Sequence, residues 1–135
     1  MFKRKRIFSI LLCVLILLAS VSASITASAS TERTIYGGNF YTNASRPYYT
    51  PSFKLNSNEI SYSFWRQTKG GYNTYITLQK YGKYGWNNVA SATAYGSNTA
   101  RGVFSNLDPE STYRVYSRTS DPDTKMTSMF LDEKY

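Results

Sequence analysis

Beyond residue 30, apolar side chains recur at every second position in short runs, and turn residues separate the runs. The clearest run covers residues 59–67, where Ile60, Tyr62 and Phe64 alternate with Ser61, Ser63 and Trp65. A period of two puts one set on a buried sheet face and the other toward solvent. After Lys69-Gly70-Gly71 the alternation resumes over residues 72–81. Thr74, Ile76 and Leu78 share one face; Tyr75, Thr77, Gln79 and Tyr81 share the other. Two such runs joined by a glycine turn predict a hairpin. Gly82-Lys83-Tyr84-Gly85 turns into a weaker strand over 86–95 that contains Val89. Gly96-Ser97-Asn98 leads to a strand over 99–107, and Asp108-Pro109-Glu110 to one over 112–118. In the latter, Tyr113 and Val115 face in while Arg114, Tyr116 and Arg118 face out. Asp121-Pro122-Asp123 precedes a last strand over 125–131, and a short edge strand is expected at 51–55.

Residues 30–51 lack this regularity and are expected to form an irregular N-terminal segment. No run after Ala29 carries apolar residues at helical spacing over three turns. Strands at intervals near ten residues predict an all-β domain over 52–135, a small antiparallel β-sandwich of about seven strands, with a small barrel as the alternative.

The N-terminus follows another logic. Lys3, Arg4, Lys5 and Arg6 precede an apolar run over residues 7–19, and small residues follow. This is the order of a secretory signal, assigned to residues 1–29. Ala27-Ser28-Ala29 supplies the small-x-small site, which places cleavage before Ser30. The apolar run is shorter than the roughly 20 residues a membrane span needs, so no stable span is expected after cleavage. Cys13, the one cysteine, lies inside that run. The exported part therefore has no cysteine and no disulfide framework. Cysteine-free export is more typical of Gram-positive bacteria than of animals, and the expected location is extracellular, including association with the cell wall.

Composition changes the picture in two ways. The chain has 16 basic and 8 acidic residues, a formal charge of +8. Four of the basic residues lie in the signal, which leaves 12 against 8, or +4, from Ser30 onward. That balance suits weak attraction to anionic polymers and is too small for a dedicated nucleic-acid binder. All 13 tyrosines and both tryptophans also lie in this part, which favours pleated, half-buried surfaces.

Leu107, Pro109, Ser111, Tyr113 and Val115 form the pattern L-x-P-x-[ST]-x-Y-x-V. This stretch resembles the later strands of a fibronectin type III domain, within the immunoglobulin-like β-sandwiches. The resemblance implies that Leu107 closes a core strand and that the Tyr113 hydroxyl bonds back to the backbone upstream. Trp65 and Tyr75 are spaced like that family's early-strand Trp and the Tyr of the next strand. Trp65 is out of phase with Ile60, Tyr62 and Phe64, so either a bulge re-aims it or Phe64 takes the core position. The resemblance implies a binding or spacer module rather than an enzyme.

The missing residue types exclude much chemistry. With no histidine, and no cysteine after Cys13, Ser-His-Asp and Cys-His catalysis are impossible, as are zinc or copper sites built on those ligands. No cofactor is expected. Glu59, Asp108, Glu110, Asp121, Asp123, Asp132 and Glu133 remain as carboxylates for glycoside hydrolysis, and Asp121 and Asp123 as oxygen ligands for calcium. Turn and solvation roles account for them more simply.

The aromatics are the better binding candidates. Tyr81, Tyr84 and Trp86 bracket a glycine turn beside Lys80 and Lys83. Exposed, such rings stack on sugars while Lys83 attracts phosphate or carboxylate. Arg46, Tyr48 and Tyr49 form a second candidate patch. Cross-strand packing is the competing role for each ring. Three readings follow: a secreted, non-enzymatic module that binds a cell-wall or extracellular polysaccharide; a secreted bacteriocin-like antimicrobial protein; and a matrix protein that assembles through edge strands.

Overall fold

The computed structural model describes residues 31–134. The signal reading over residues 1–29, with Ala27 and Ala29, lies outside the described residues. Nine strands follow one another: β1 (Glu32–Thr42), β2 (Tyr48–Tyr49), β3 (Phe53–Lys54), β4 (Ile60–Arg66), β5 (Asn73–Gly82), β6 (Gly85–Tyr95), β7 (Ala100–Phe104), β8 (Thr112–Thr119) and β9 (Lys125–Lys134). They form an antiparallel β-sandwich, as the alternation predicts. One sheet is four-stranded, in the order β1-β9-β4-β7. The other is five-stranded, in the order β2-β8-β5-β6, with β3 also paired to β8.

The core lies between the sheets. Phe40, Ile60, Phe64, Phe104, Met129 and Leu131 meet Ile76, Leu78, Ala94, Tyr113 and Val115 across the gap, with Leu55 beside them. Phe64 takes the core position and is fully buried, while Trp65 sits half-buried on the outer face of the four-stranded sheet.

Three expectations change. Residues 30–51 are not irregular, because β1 runs along β9 for most of its length. A bulge between Thr34 and Tyr36 adds Ile35 to the strand and shifts the inward phase from odd to even positions. The alternation is thereby broken in the sequence although the strand continues. Secondly, β4 and β5 are not a hairpin. They lie in different sheets, and Ile60 and Phe64 face Ile76 and Leu78 across the core rather than pairing beside them. A period of two reports which face is buried, not which strand is the neighbour. Thirdly, the strand order departs from the immunoglobulin arrangement, in which the last strand joins the sheet of the strand before it. Here β9 crosses to lie between β1 and β4, and β2 and β3 take the place beside β8. The sandwich holds; the fibronectin type III order does not. The Tyr113 hydroxyl does bond upstream, accepting the Asp108 N–H at 2.8 Å and donating to the Asp108 carbonyl at 3.0 Å. Leu107 is half-buried against the core, and Val115 is fully buried within it. Pro109 is exposed in the loop held by that Tyr113 bond.

Each end of the sandwich is closed by a buried charge. At one end the guanidinium of Arg66 is fully buried. It donates to the Thr42 hydroxyl at 2.6 Å, the Thr42 carbonyl at 2.9 Å and the Asp123 carbonyl at 2.8 Å, and lies 3.3 Å from the Asp121 carboxylate. At the other end Glu133 is fully buried. It accepts from Arg33 Nε at 2.9 Å, from Ser57 N–H at 2.7 Å and from Asn56 N–H. Burial raises the Asp121 carboxyl, but the Asp123 N–H, the Thr68 hydroxyl and the Arg66 guanidinium outweigh it and bring it below its ordinary value of 3.8.

The charged Asp121 therefore stabilises the fold above that value, and its contribution disappears as the pH falls through the lowered one. Asp121→Asn should cost about 3 kcal/mol in urea unfolding at neutral pH, because it leaves Arg66 buried without its counter-charge. The gap from the native protein should narrow steadily below about pH 4. A gap independent of pH would show that the carboxylate charge is not what matters.

Candidate binding face

The outer face of the five-stranded sheet gathers aromatic and basic side chains in rows. Strand register sets those rows. Tyr49 on β2 pairs with Tyr116 on β8, Tyr116 with Thr77 on β5, and Thr77 with Ser91 on β6. The next row on one side is Arg118, Tyr75 and Thr93; on the other it is Arg114, Gln79 and Asn88. Tyr81 and Trp86 pair at the hairpin end.

A bulge decides that last row. Leu78 pairs with Ala90 and Gln79 with Asn88, so Val89 is an extra residue on β6. Beyond it Ala90, Ala92 and Ala94 point inward. Without the extra residue Trp86 would share their phase and face the core. With it, Trp86 lies on the outer face beside Tyr81, the two rings edge to face with centroids 5.2 Å apart. The turn then closes through Lys83 and Tyr84. Gly85 takes φ 106°, a conformation side chains disfavour. Tyr84 at the tip is 91% exposed, with Lys83 Nζ 5.4 Å from its ring centre.

Arg114 joins the two ends of the face. Its guanidinium carbon lies 4.3 Å from the ring centre of Tyr49 and 4.3 Å from that of Trp86. Its Nε donates to Gln79 Oε1 at 2.8 Å, and Gln79 Nε2 donates in turn to Asn88 Oδ1 at 2.9 Å. Tyr49 also stacks on Tyr116, with centroids 4.8 Å apart. A second cation lies over a ring one row away, Arg118 at 4.5 Å from Tyr75. Such contacts between guanidinium and ring faces fix both groups in place.

Carboxylates are segregated between the sheets, whereas cations lie on both, with Arg33, Arg66, Arg101, Lys125 and Lys134 on the four-stranded one. None of the chain's eight acidic residues lies on a strand of the five-stranded sheet, whereas Lys54, Lys80, Arg114 and Arg118 do. Glu32, Asp132 and Glu133 are on the four-stranded sheet, and Glu59, Asp108, Glu110, Asp121 and Asp123 are in loops. Asp121 is engaged by Arg66 and Asp108 by Ser111 and Lys80. The Ser111 hydroxyl and then the Glu110 N–H hold the Asp108 carboxyl below its ordinary value. Among the described residues no group of three metal-ligating side chains gathers. Glu59 and Asp132 line a shallow hollow with Ser61, Val103 and Lys134 on the other side of the molecule.

Of the residues singled out in the sequence, Tyr81, Trp86 and Tyr49 meet on this face, with Lys83 and Tyr84 at its rim. Arg46 is exposed in the turn after β1, where its backbone bonds to Asn43. Tyr48 points the opposite way from Tyr49 because neighbours in a strand alternate. Its ring stacks on Phe40 at 4.1 Å and its hydroxyl bonds to that of Tyr36 at 3.2 Å. Burial, then the bond to Tyr48, pushes the Tyr36 hydroxyl far above its ordinary value. The patch of Arg46, Tyr48 and Tyr49 thus does not form. The outward phase of Arg114, Tyr116 and Arg118 was visible in the sequence; their meeting with Tyr49 and Trp86 depends on strand order, which was not.

No protein-family model matches the chain, and no curated protein matches it. Among solved structures it is similar to PirA, at TM-score 0.47 and 11% identity, over 76% of this chain and 96% of that one. It is similar at TM-score 0.47 and 10% identity to a protein of the disulfide-linked pili of Bacillus endospore appendages, over 78% and 87% of the two chains. A third similar structure is the carbohydrate-binding module CBM36 in complex with calcium and xylotriose, at TM-score 0.45 and 15% identity, over 81% and 96%. Likeness at these scores says nothing of what this chain binds.

The contact geometry makes a direct demand. Arg114→Ala should lower stability by about 1 kcal/mol in urea unfolding and change the fluorescence of Trp86. Arg46→Ala should do neither. Equal effects from both variants would mean that the Arg114 contacts are not formed in solution.

Proposed function

We propose that this protein is a secreted, non-enzymatic binding module. The outer face of its five-stranded sheet takes an anionic polysaccharide of the cell wall or extracellular matrix. The observation that carries the proposal is the Tyr49–Arg114–Trp86 contact on a sheet without acidic residues. Ring faces accept the C–H faces of sugars, and the Ser91, Gln79 and Asn88 side chains offer hydroxyl and amide partners. Arg114 and Arg118 present guanidinium groups suited to carboxylate or phosphate. The Gln79 bond and the ring contacts hold Arg114 before any ligand arrives, which lowers the ordering cost of binding. The face has no carboxylate pair and no histidine to move a proton, so it offers recognition without bond cleavage.

The test is a pull-down of the purified protein on insoluble cell walls and on an acidic polysaccharide across a salt series. Binding should weaken in salt yet persist, since stacking is not screened. Trp86→Ala and Arg114→Ala should each weaken it about tenfold or more, about 1.4 kcal/mol. Binding that vanishes in moderate salt and ignores both substitutions is nonspecific charge and overturns the proposal, as does no binding at all.

A further inference from the structure

The sandwich has four free sheet edges, and three of them are guarded. β1 carries Glu32 and Arg33. β7 has only five residues and places Arg101 among them. β2 and β3 are two residues each, separated by Pro51, and β3 carries Lys54. Charges, short length and proline are the usual ways to prevent a sheet edge from pairing with another chain. β6 uses none of these. It has eleven residues and contains neither a charge nor a proline. Among the described residues no strand lies beyond it, and the one turn backbone bond to it is at its last residue, where the Asn98 N–H donates to the Tyr95 carbonyl at 3.1 Å. Its one irregularity, at Val89, interrupts the half nearer the hairpin and leaves residues 90–95 regular. Up to Tyr95 the side chains there are small, Ala90, Ser91, Ala92, Thr93 and Ala94, so another strand can approach to the normal spacing of about 4.8 Å.

We infer that β6 is a self-association edge, through which two copies pair antiparallel along residues 90–94. Charge selects a second copy as the occupant. The chain is basic, and elsewhere on this sheet a like copy would bring Arg or Lys against Arg or Lys. At β6 neutral meets neutral. A twofold pair is closed, and it satisfies both free edges at once. If the two outer faces are to lie on the same side, the pair must centre on a residue, Ala92 or Thr93, because directly opposed side chains share a face. The product is one continuous sheet that carries two Tyr49–Arg114–Trp86 sets. This inference stands independently of what those residues bind.

Sedimentation velocity across a concentration series tests it. The native protein should show a monomer–dimer equilibrium. Ser91→Lys/Thr93→Lys sets lysines opposite each other in either register and should raise the dimer dissociation constant more than tenfold. Val103→Lys, on the exposed face of β7, should leave it unchanged. A second measurement covers loss of folding: with Cys13→Ser, the pair Ser91→Cys/Thr93→Cys should cross-link two copies on mild oxidation, and Val103→Cys should not. The inference is overturned by a native protein that stays monomeric, by equal effects at Val103, by an absence of cross-links, or by an edge that takes up an added peptide strand but not itself.

Discussion

Arg66 is a charge buried where water cannot reach it, and the end of the sandwich is organised around meeting its needs. Its partners come from the end of β1, the loop between β8 and β9, and the start of β9. These segments are far apart in sequence and have no disulfide to join them. A buried ion pair gains little over an apolar core of the same shape, because desolvating two charges offsets most of their attraction. Failure to form it costs much more. Misplacing any one of those segments would leave a bare guanidinium in the core, so the pair acts against alternative strand orders.

Glu133 imposes the same condition at the opposite end, where it binds Arg33 on β1 and the backbone before β4. β9 starts beside Arg66 and ends at Glu133, so both conditions meet on one strand. This accounts in physical terms for its central place in the four-stranded sheet, where the family pattern would have put it elsewhere. Between the charged ends, Phe64, Met129, Ile76 and Leu78 fill the interior.

The sequence was legible where period and burial agree. Alternation in β4, β5 and β8 gave the inward residues, including Phe64, Ile76 and Val115. It was illegible at Ile35 and Val89, where one inserted residue reverses the phase of all that precede it. One of those insertions hid β1; the other hid the orientation of Trp86. Neighbour relations were illegible for a different reason, since β4 and β5 have the alternation of a hairpin and yet face each other across the core. The candidate face depends on both kinds of hidden information. Its individual residues could be suspected, but the approach of Arg114 to two rings on different strands could not.

The absence of carboxylates from the five-stranded sheet has an electrical consequence. Cations lie on both sheets, but only the four-stranded one also carries carboxylates, so positive charge is least offset on the five-stranded sheet and the slab has a dipole across its short axis. In the field of a negatively charged surface such a body turns before it touches. It would approach a wall or matrix with β8 leading and the four-stranded sheet trailing, so that more encounters begin in a productive orientation. The orienting torque reaches about 8 Å in physiological salt, the screening length there, and acts on the last step of approach.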